Sequence, residues 1–87
     1  MAEVFFRPRA IKGFKLASAA EKLKIKELIE VLRKDKFPPH TKKLGGYGVG
    51  YRTRSGRWQV LFVLEKAGID VVDIFIKKGK DDYRKRI

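Results

Sequence analysis

The sequence predicts an α+β fold in which two helices pack on one face of an antiparallel sheet, in the order β-α-α-β-β-β. Three observations predict it. Apolar residues recur at helical spacing only in the stretch before Pro38. After a glycine-rich loop at 40–50 the pattern changes to period 2. Helices thus follow helices and strands follow strands, instead of alternating as a parallel α/β sheet requires.

The elements follow in order. Val4-Phe5-Phe6-Arg7 is a short β-type run stopped by Pro8. Proline suits the first turn of a helix, where its missing N–H is no loss. Ala10, Ile11, Phe14 and Ala17 then suggest a short amphipathic helix, with Gly13 inside it and Leu16 off its stripe. Ser18 followed by Glu21 is a capping-box pattern. Ile25, Leu28, Ile29 and Leu32 fall on one face of the helix that it opens. That helix must end by Phe37-Pro38-Pro39. Tyr51 to Arg54 alternates, Ser55-Gly56 signals a turn, and Arg57 to Leu64 reads as a strand with Trp58, Val60, Phe62 and Leu64 on one face. After a turn at Lys66-Ala67-Gly68, Ile69 to Ile76 is apolar on both faces apart from Asp70 and Asp73, as a central strand would be. Trp58 and Phe62 are expected to pack in the core.

Eighty-seven residues allow one domain, 1–87. A core this small buries only ~60% of the unfolded chain's surface. Without cysteine there is no disulfide to help and no Cys-based zinc site, so a protein partner is the remaining stabiliser. The lack of cysteine fits a reducing compartment. The first seven residues have no long apolar core, and the longest apolar run, Val60 to Leu64, is far short of a membrane span. A cytoplasmic protein with no membrane partner is expected.

Charge narrows the partner. Lys plus Arg number 22 against 10 Asp plus Glu, a net charge of +12. Such a field attracts polyanions and costs stability through self-repulsion. Its distribution is uneven. Residues 18–36 mix both signs, as solvated helix faces do. No acid lies between Asp35 and Glu65, a stretch that carries Lys42, Lys43, Arg52, Arg54 and Arg57. The tail adds Lys77, Lys78, Lys80 and Arg84 against Asp81 and Asp82. The second half is therefore the candidate binding surface.

Arg52 and Arg54 are two apart on a strand and share a face. Gln59, Leu61 and Val63 share the face opposite Trp58. If the helices cover the Trp58 side, the arginines line the open side. A guanidinium fork gives phosphate two parallel charged hydrogen bonds. The glycine loop is no phosphate cradle, because it lacks the P-loop spacing and leads into a strand. The lone histidine, His40, sits in a proline loop and reads as exposed. Tyr47 and Tyr51 read as structural.

Lys43-Leu44-Gly45, Tyr51-Arg52-Thr53-Arg54, Gly56-Arg57-Trp58-Gln59-Val60-Leu61-Phe62, Lys77-Lys78 and Tyr83-Arg84 occur in an order that resembles the RelE/ParE superfamily of toxins. The resemblance spans essentially the whole chain and is nearest to RelE-like mRNA interferases. It implies a RelE-like microbial RNase fold. It also implies a ribosome-dependent, metal-independent and cofactor-free endoribonuclease that cuts mRNA by 2′-OH attack. By position it assigns catalytic roles to Arg52, Arg54, Lys77, Lys78 and Tyr83, the last by stacking on a base. RNA contacts are expected from Lys42, Lys43, Arg57, Gln59, Lys80 and Arg84. The pattern departs at Gln59, where an Arg is common and where Gln cannot supply charge.

Such toxins are held inactive by a cognate antitoxin, so an acidic antitoxin and a toxin–antitoxin hetero-oligomer are expected beside mRNA and the ribosome. Two alternatives stand: a ParE-like toxin that inhibits gyrase, and a catalytically weakened nucleic-acid-binding homologue, which Gln59 motivates.

Overall fold

The computed structural model describes residues 2–34, 37–44 and 50–76. Strand β1 (Val4–Phe6) leads into helices α1 (Pro8–Lys15) and α2 (Ala19–Arg33). Strands β2 (Lys42–Lys43), β3 (Gly50–Ser55), β4 (Trp58–Glu65) and β5 (Gly68–Ile76) follow. They form one sheet in the order β1-β5-β4-β3-β2. The α+β class, the order of the six expected elements and the helical pair on one face are as the sequence predicts.

Two features differ. β2 is an additional strand of two residues inside the expected loop, too short for any alternation to show. And β1 pairs with β5 in parallel, whereas all other pairs are antiparallel. A parallel pair needs a long crossover connection, which the two helices and three strands between β1 and β5 supply.

Local chemistry sets the element ends. Pro8 stands at the first turn of α1, whose N-cap Arg7 makes no side-chain cap. The capping box on α2 is complete. The Glu21 N–H donates to Ser18 Oγ at 3.2 Å, and the Ser18 N–H donates to Glu21 Oε1 at 2.9 Å. Gly56 opens the β3–β4 hairpin with φ of 59°, while Arg57 keeps a negative φ, the pattern of a type II′ turn. His40 adopts φ of 68° in the turn that Thr41 closes, its hydroxyl donating to the Pro38 carbonyl at 2.6 Å.

The main core lies between helices and sheet. Ile25, Leu28, Ile29 and Leu32 of α2 meet Trp58, Val60, Phe62, Ile69, Val71 and Ile74. Tyr51 stacks on Phe62 at 5.5 Å between ring centroids, and Phe37 tilts against Tyr51 at 5.3 Å. A smaller cluster, Leu44, Leu61, Val72 and Phe75, is buried as well. Leu61 and Phe75 alternate with helix-side residues, which places this cluster on the opposite face of the sheet. The β4–β5 register shifts between Leu61 and Phe62. Val72 and Asp73 together oppose Leu61 there, which is a β-bulge.

β5 is central, but β1 covers only its first part, Ile69 to Val71. Beyond that α1 takes over. The Arg7 N–H still donates to the Val71 carbonyl at 3.0 Å, and Gly13 then lies directly on the Ile74 carbonyl. A Cβ at Gly13 would fall on that oxygen, so the approach requires glycine. Gly13→Ala gains ~1 kcal/mol of helix propensity, but the clash forces α1 away from its seat in the core. Overpacking costs up to ~3 kcal/mol and each kcal/mol is about 4–8 °C in a domain of this size. The net loss of up to ~2 kcal/mol corresponds to a fall of up to roughly 8–16 °C in melting temperature by circular dichroism, and a larger fall is expected for Gly13→Val.

Candidate nucleic-acid interface

β3 runs Gly50-Tyr51-Arg52-Thr53-Arg54-Ser55, with sides alternating. Tyr51 and the fully buried Thr53 face the helices, so Arg52 and Arg54 face the other way. Their Cα atoms are about 6.6 Å apart, two strand residues. Across the ladder Arg52 opposes Leu61, and Arg54 opposes Gln59. On the outer side β2 places Lys42 directly opposite Arg52. The face turned away from α1 and α2 thus carries Lys42, Arg52 and Arg54 beside the apolar floor of Leu61, Val72 and Phe75. Arg54 and Lys42 are exposed and Arg52 is half-buried.

Like charges directly opposed across strands are destabilising. Here Lys42 and Arg52 are so opposed, and β2, β3 and β4 as far as Leu64 contain no acid. The acids of this face lie on β5. Asp70 receives both Nε and Nη2 of Arg7 on one oxygen, at 2.9 and 2.8 Å. Asp73 is almost wholly buried in the bulge, where Oδ1 accepts the Ile74 N–H at 2.8 Å and Oδ2 lies 3.9 Å from Arg9 Nε. The β2–β3 end is therefore strongly positive. It is suited to holding phosphates by charged forks.

Gln59 lies between Arg54 and Phe75 across the strands and is only 7% exposed. It belongs to this face but presents almost no surface. Two expected RNA contacts fall elsewhere. Lys43 pairs with Tyr51 and so sits on the helix side. Arg57 stands in the hairpin turn, where its Nε donates to Glu21 Oε2 at 2.9 Å. Lys77, Lys78, Lys80, Tyr83 and Arg84 lie outside the described residues, as does Tyr47. His40 is exposed in its turn, and Tyr51 is structural. What the sequence did not show is the seat of Lys42. Only the two-residue pairing of β2 puts it against Arg52.

The Arg57–Glu21 contact ties the β3–β4 hairpin, which carries both arginines, to the start of α2. Arg57 holds the Glu21 carboxyl down at about 2, aided by the Ser18 backbone N–H. The Trp58 indole N–H also faces Glu21 and adds to the lowering, though it makes no hydrogen bond of good geometry. The same contact raises Arg57 further.

The comparisons with known proteins bear on fold. No family model matches the sequence, and no curated protein does. Solved structures match well. The chain superposes on a RelB–RelE antitoxin–toxin complex from Methanococcus jannaschii with a TM-score of 0.76 at 23% identity, over 91% of this chain and 96% of that one. The isolated RelE toxin of E. coli gives 0.71 at 18% identity, over 98% and 94%. A YoeB dimer from Staphylococcus aureus gives 0.71 at 17%, over 91% and 98%. The chain has the RelE-like toxin fold. No helix among the described residues is long and apolar enough to cross a membrane.

Two outcomes are expected. Glu21 has a folded pKa below its ordinary 4.5. Its contribution is therefore present above that value and is lost as the pH falls from about 4.5 towards about 2. Acid unfolding of Glu21→Gln should accordingly show a flatter dependence of stability across that window than the parent. For a single-stranded RNA oligonucleotide, Arg52→Ala and Arg54→Ala should each reduce the slope of log affinity against log salt by about 0.7. Arg57→Ala should leave that slope unchanged.

Proposed function

We propose that the chain is the toxin of a toxin–antitoxin pair, and that it cuts ribosome-bound mRNA without a metal ion. The observation that carries this reading is the cation set Lys42, Arg52 and Arg54 on the face of a RelE-like toxin fold turned away from α1 and α2. Opposed cations are an expense in the free protein that a bound polyanion relieves.

In the proposed reaction the RNA 2′-oxygen bonds to the adjacent phosphorus and the bond from phosphorus to the 5′-oxygen breaks. The products are a 2′,3′-cyclic phosphate and a 5′-hydroxyl, and the 2′-OH proton ends on the leaving oxygen. Arg52 and Arg54 stabilise the charge that gathers on the phosphorane-like transition state. They do not take the proton, because guanidinium stays protonated at neutral pH. That step falls to Lys77, Lys78 or a group of the RNA or ribosome. In this reading Tyr83 stacks on a base, a contact worth ~1–3 kcal/mol. Lys80 and Arg84 add backbone contacts, and an acidic antitoxin masks the basic surface until release.

A second reading has one observation behind it. Gln59 is neutral and buried beside Arg54, so the face can grip RNA and still cut it weakly. A Gln59→Arg variant that cleaves faster than the parent would favour that reading.

The deciding experiment is induction with translating ribosomes, followed by mapping of mRNA 5′ ends. Cuts in phase with codons are expected. Arg52→Ala with Arg54→Ala should lower the cleavage rate at least ~100-fold, the effect of losing one charge-stabilising donor in other enzymes, while the protein stays folded. Absence of phased cuts by the intact protein would reject the nuclease reading.

A further inference from the structure

The antiparallel ladders bring residues of one face into rows across the sheet. Asp73 opposes Leu61, Leu61 opposes Arg52, and Arg52 opposes Lys42. Side chains directly opposed across such a ladder point to the same side. All four therefore share the face turned away from α1 and α2. The next row is Phe75, Gln59 and Arg54. The first row begins on a carboxylate, and the second contains no acid.

Asp73 does not reach this face by alternation alone. Val72 already points there, with Leu61 and Phe75. A regular strand would send the next residue to the helix side. The bulge opposite Leu61 re-aims it, so that Val72 and Asp73 both oppose that leucine. The carboxylate is only 1% exposed and so does not meet RNA itself. Its Oδ1 accepts the Ile74 N–H at 2.8 Å. Arg9 Nε stands 3.9 Å from Oδ2, on a side chain that is itself 59% exposed, farther than the roughly 2.7–2.9 Å of a charged hydrogen bond. A buried carboxylate is costly unless cations and donors face it.

Arg52 is the cation that shares its row. Two strand spacings put the Cα atoms about 10 Å apart. Leu61 lies between them and is wholly buried. It offers an apolar surface along which an arginine stem can lie with its charged head beyond. Arg52 is half-buried, whereas Arg54, on the same face but in the row without an acid, is exposed.

We propose that Asp73 is a positioning residue for Arg52. Its buried charge draws the Arg52 guanidinium inward over Leu61 and fixes the direction of the fork. The two arginines then have different tasks. Arg54 attracts the RNA backbone, and Arg52 meets the reacting phosphate in one set orientation. A donor held in place beforehand needs no reorganisation when charge develops. The proposal rests on the nuclease reading for the step that Arg52 serves, while the orientation of Arg52 is measurable without it.

The first test uses the full chain labelled with 15N, as the parent and as Asp73→Asn. Asparagine keeps the shape and the acceptor for the Ile74 N–H and removes the charge. Exchange of each arginine Nε–H with water is followed by NMR. In the parent, Arg52 should exchange about tenfold more slowly than Arg54. In Asp73→Asn that difference should vanish, with Arg54 as before. Equal exchange of the two arginines in the parent overturns the proposal. So does slow exchange of Arg52 that persists in Asp73→Asn, because β2, which flanks Arg52 and not Arg54, would then shield it unaided.

Cleavage with translating ribosomes supplies the second test. Removal of an acid from a basic protein should by itself favour RNA binding and slow nothing. A positioning role predicts a split instead. In Asp73→Asn the rate at saturating RNA should fall about tenfold, while the RNA concentration for half-saturation does not rise. The change should add nothing in an Arg52→Ala background and act in full in an Arg54→Ala background, as a coupled pair requires. Equal effects in the two backgrounds, or an undiminished rate in Asp73→Asn, overturn the proposal. If the parent cuts no RNA, the nuclease reading is removed, and the exchange measurement upholds or overturns the hold of Asp73 on Arg52 by itself.

Discussion

β5 is flanked along one edge by β4, but β1 reaches only its first part. The rest of that edge is closed by α1, which can lie so near only because Gly13 offers no side chain to the Ile74 carbonyl. The layout of both faces of the sheet depends on this approach. It fixes α1 on the same side as α2, whose apolar stripe already claims that face. With both helices spent on one face, no helix among the described residues covers the other. The cations of β2 and β3 gather there, while β1 is left as an edge of the sheet.

The helix layer and the sheet can be read from the sequence because each is carried by a repeating local signal. Ile25, Leu28, Ile29 and Leu32 repeat at helical spacing, and all four are buried. Ser18 and Glu21 close the capping box that their spacing announces. Trp58, Val60 and Phe62 alternate into the core as expected, and Ser55-Gly56 does turn the chain. In each case the residue's neighbours in the sequence are also its neighbours in the fold.

What the sequence could not show depends on pairings between distant residues. Lys42 and Lys43 look alike in the sequence, yet register with Arg52 and Tyr51 sends them to opposite faces. Arg57 belongs to the acid-free stretch, but a turn at Gly56 delivers it to Glu21, 36 residues earlier. Gln59 has a strand position that alternation gives correctly. Its burial comes from its cross-strand neighbours, Arg54 and Phe75, and no local pattern records that. The parallel seat of β1 is of the same kind, since three residues say nothing about the direction of a strand placed beside them more than sixty residues later.

The opposed pair of Lys42 and Arg52 carries one more consequence. A point change that made Lys42 neutral or acidic would relax that repulsion. β2 would then be held to β3 more tightly without this cation than with it, so selection for stability alone would not keep a lysine at this position.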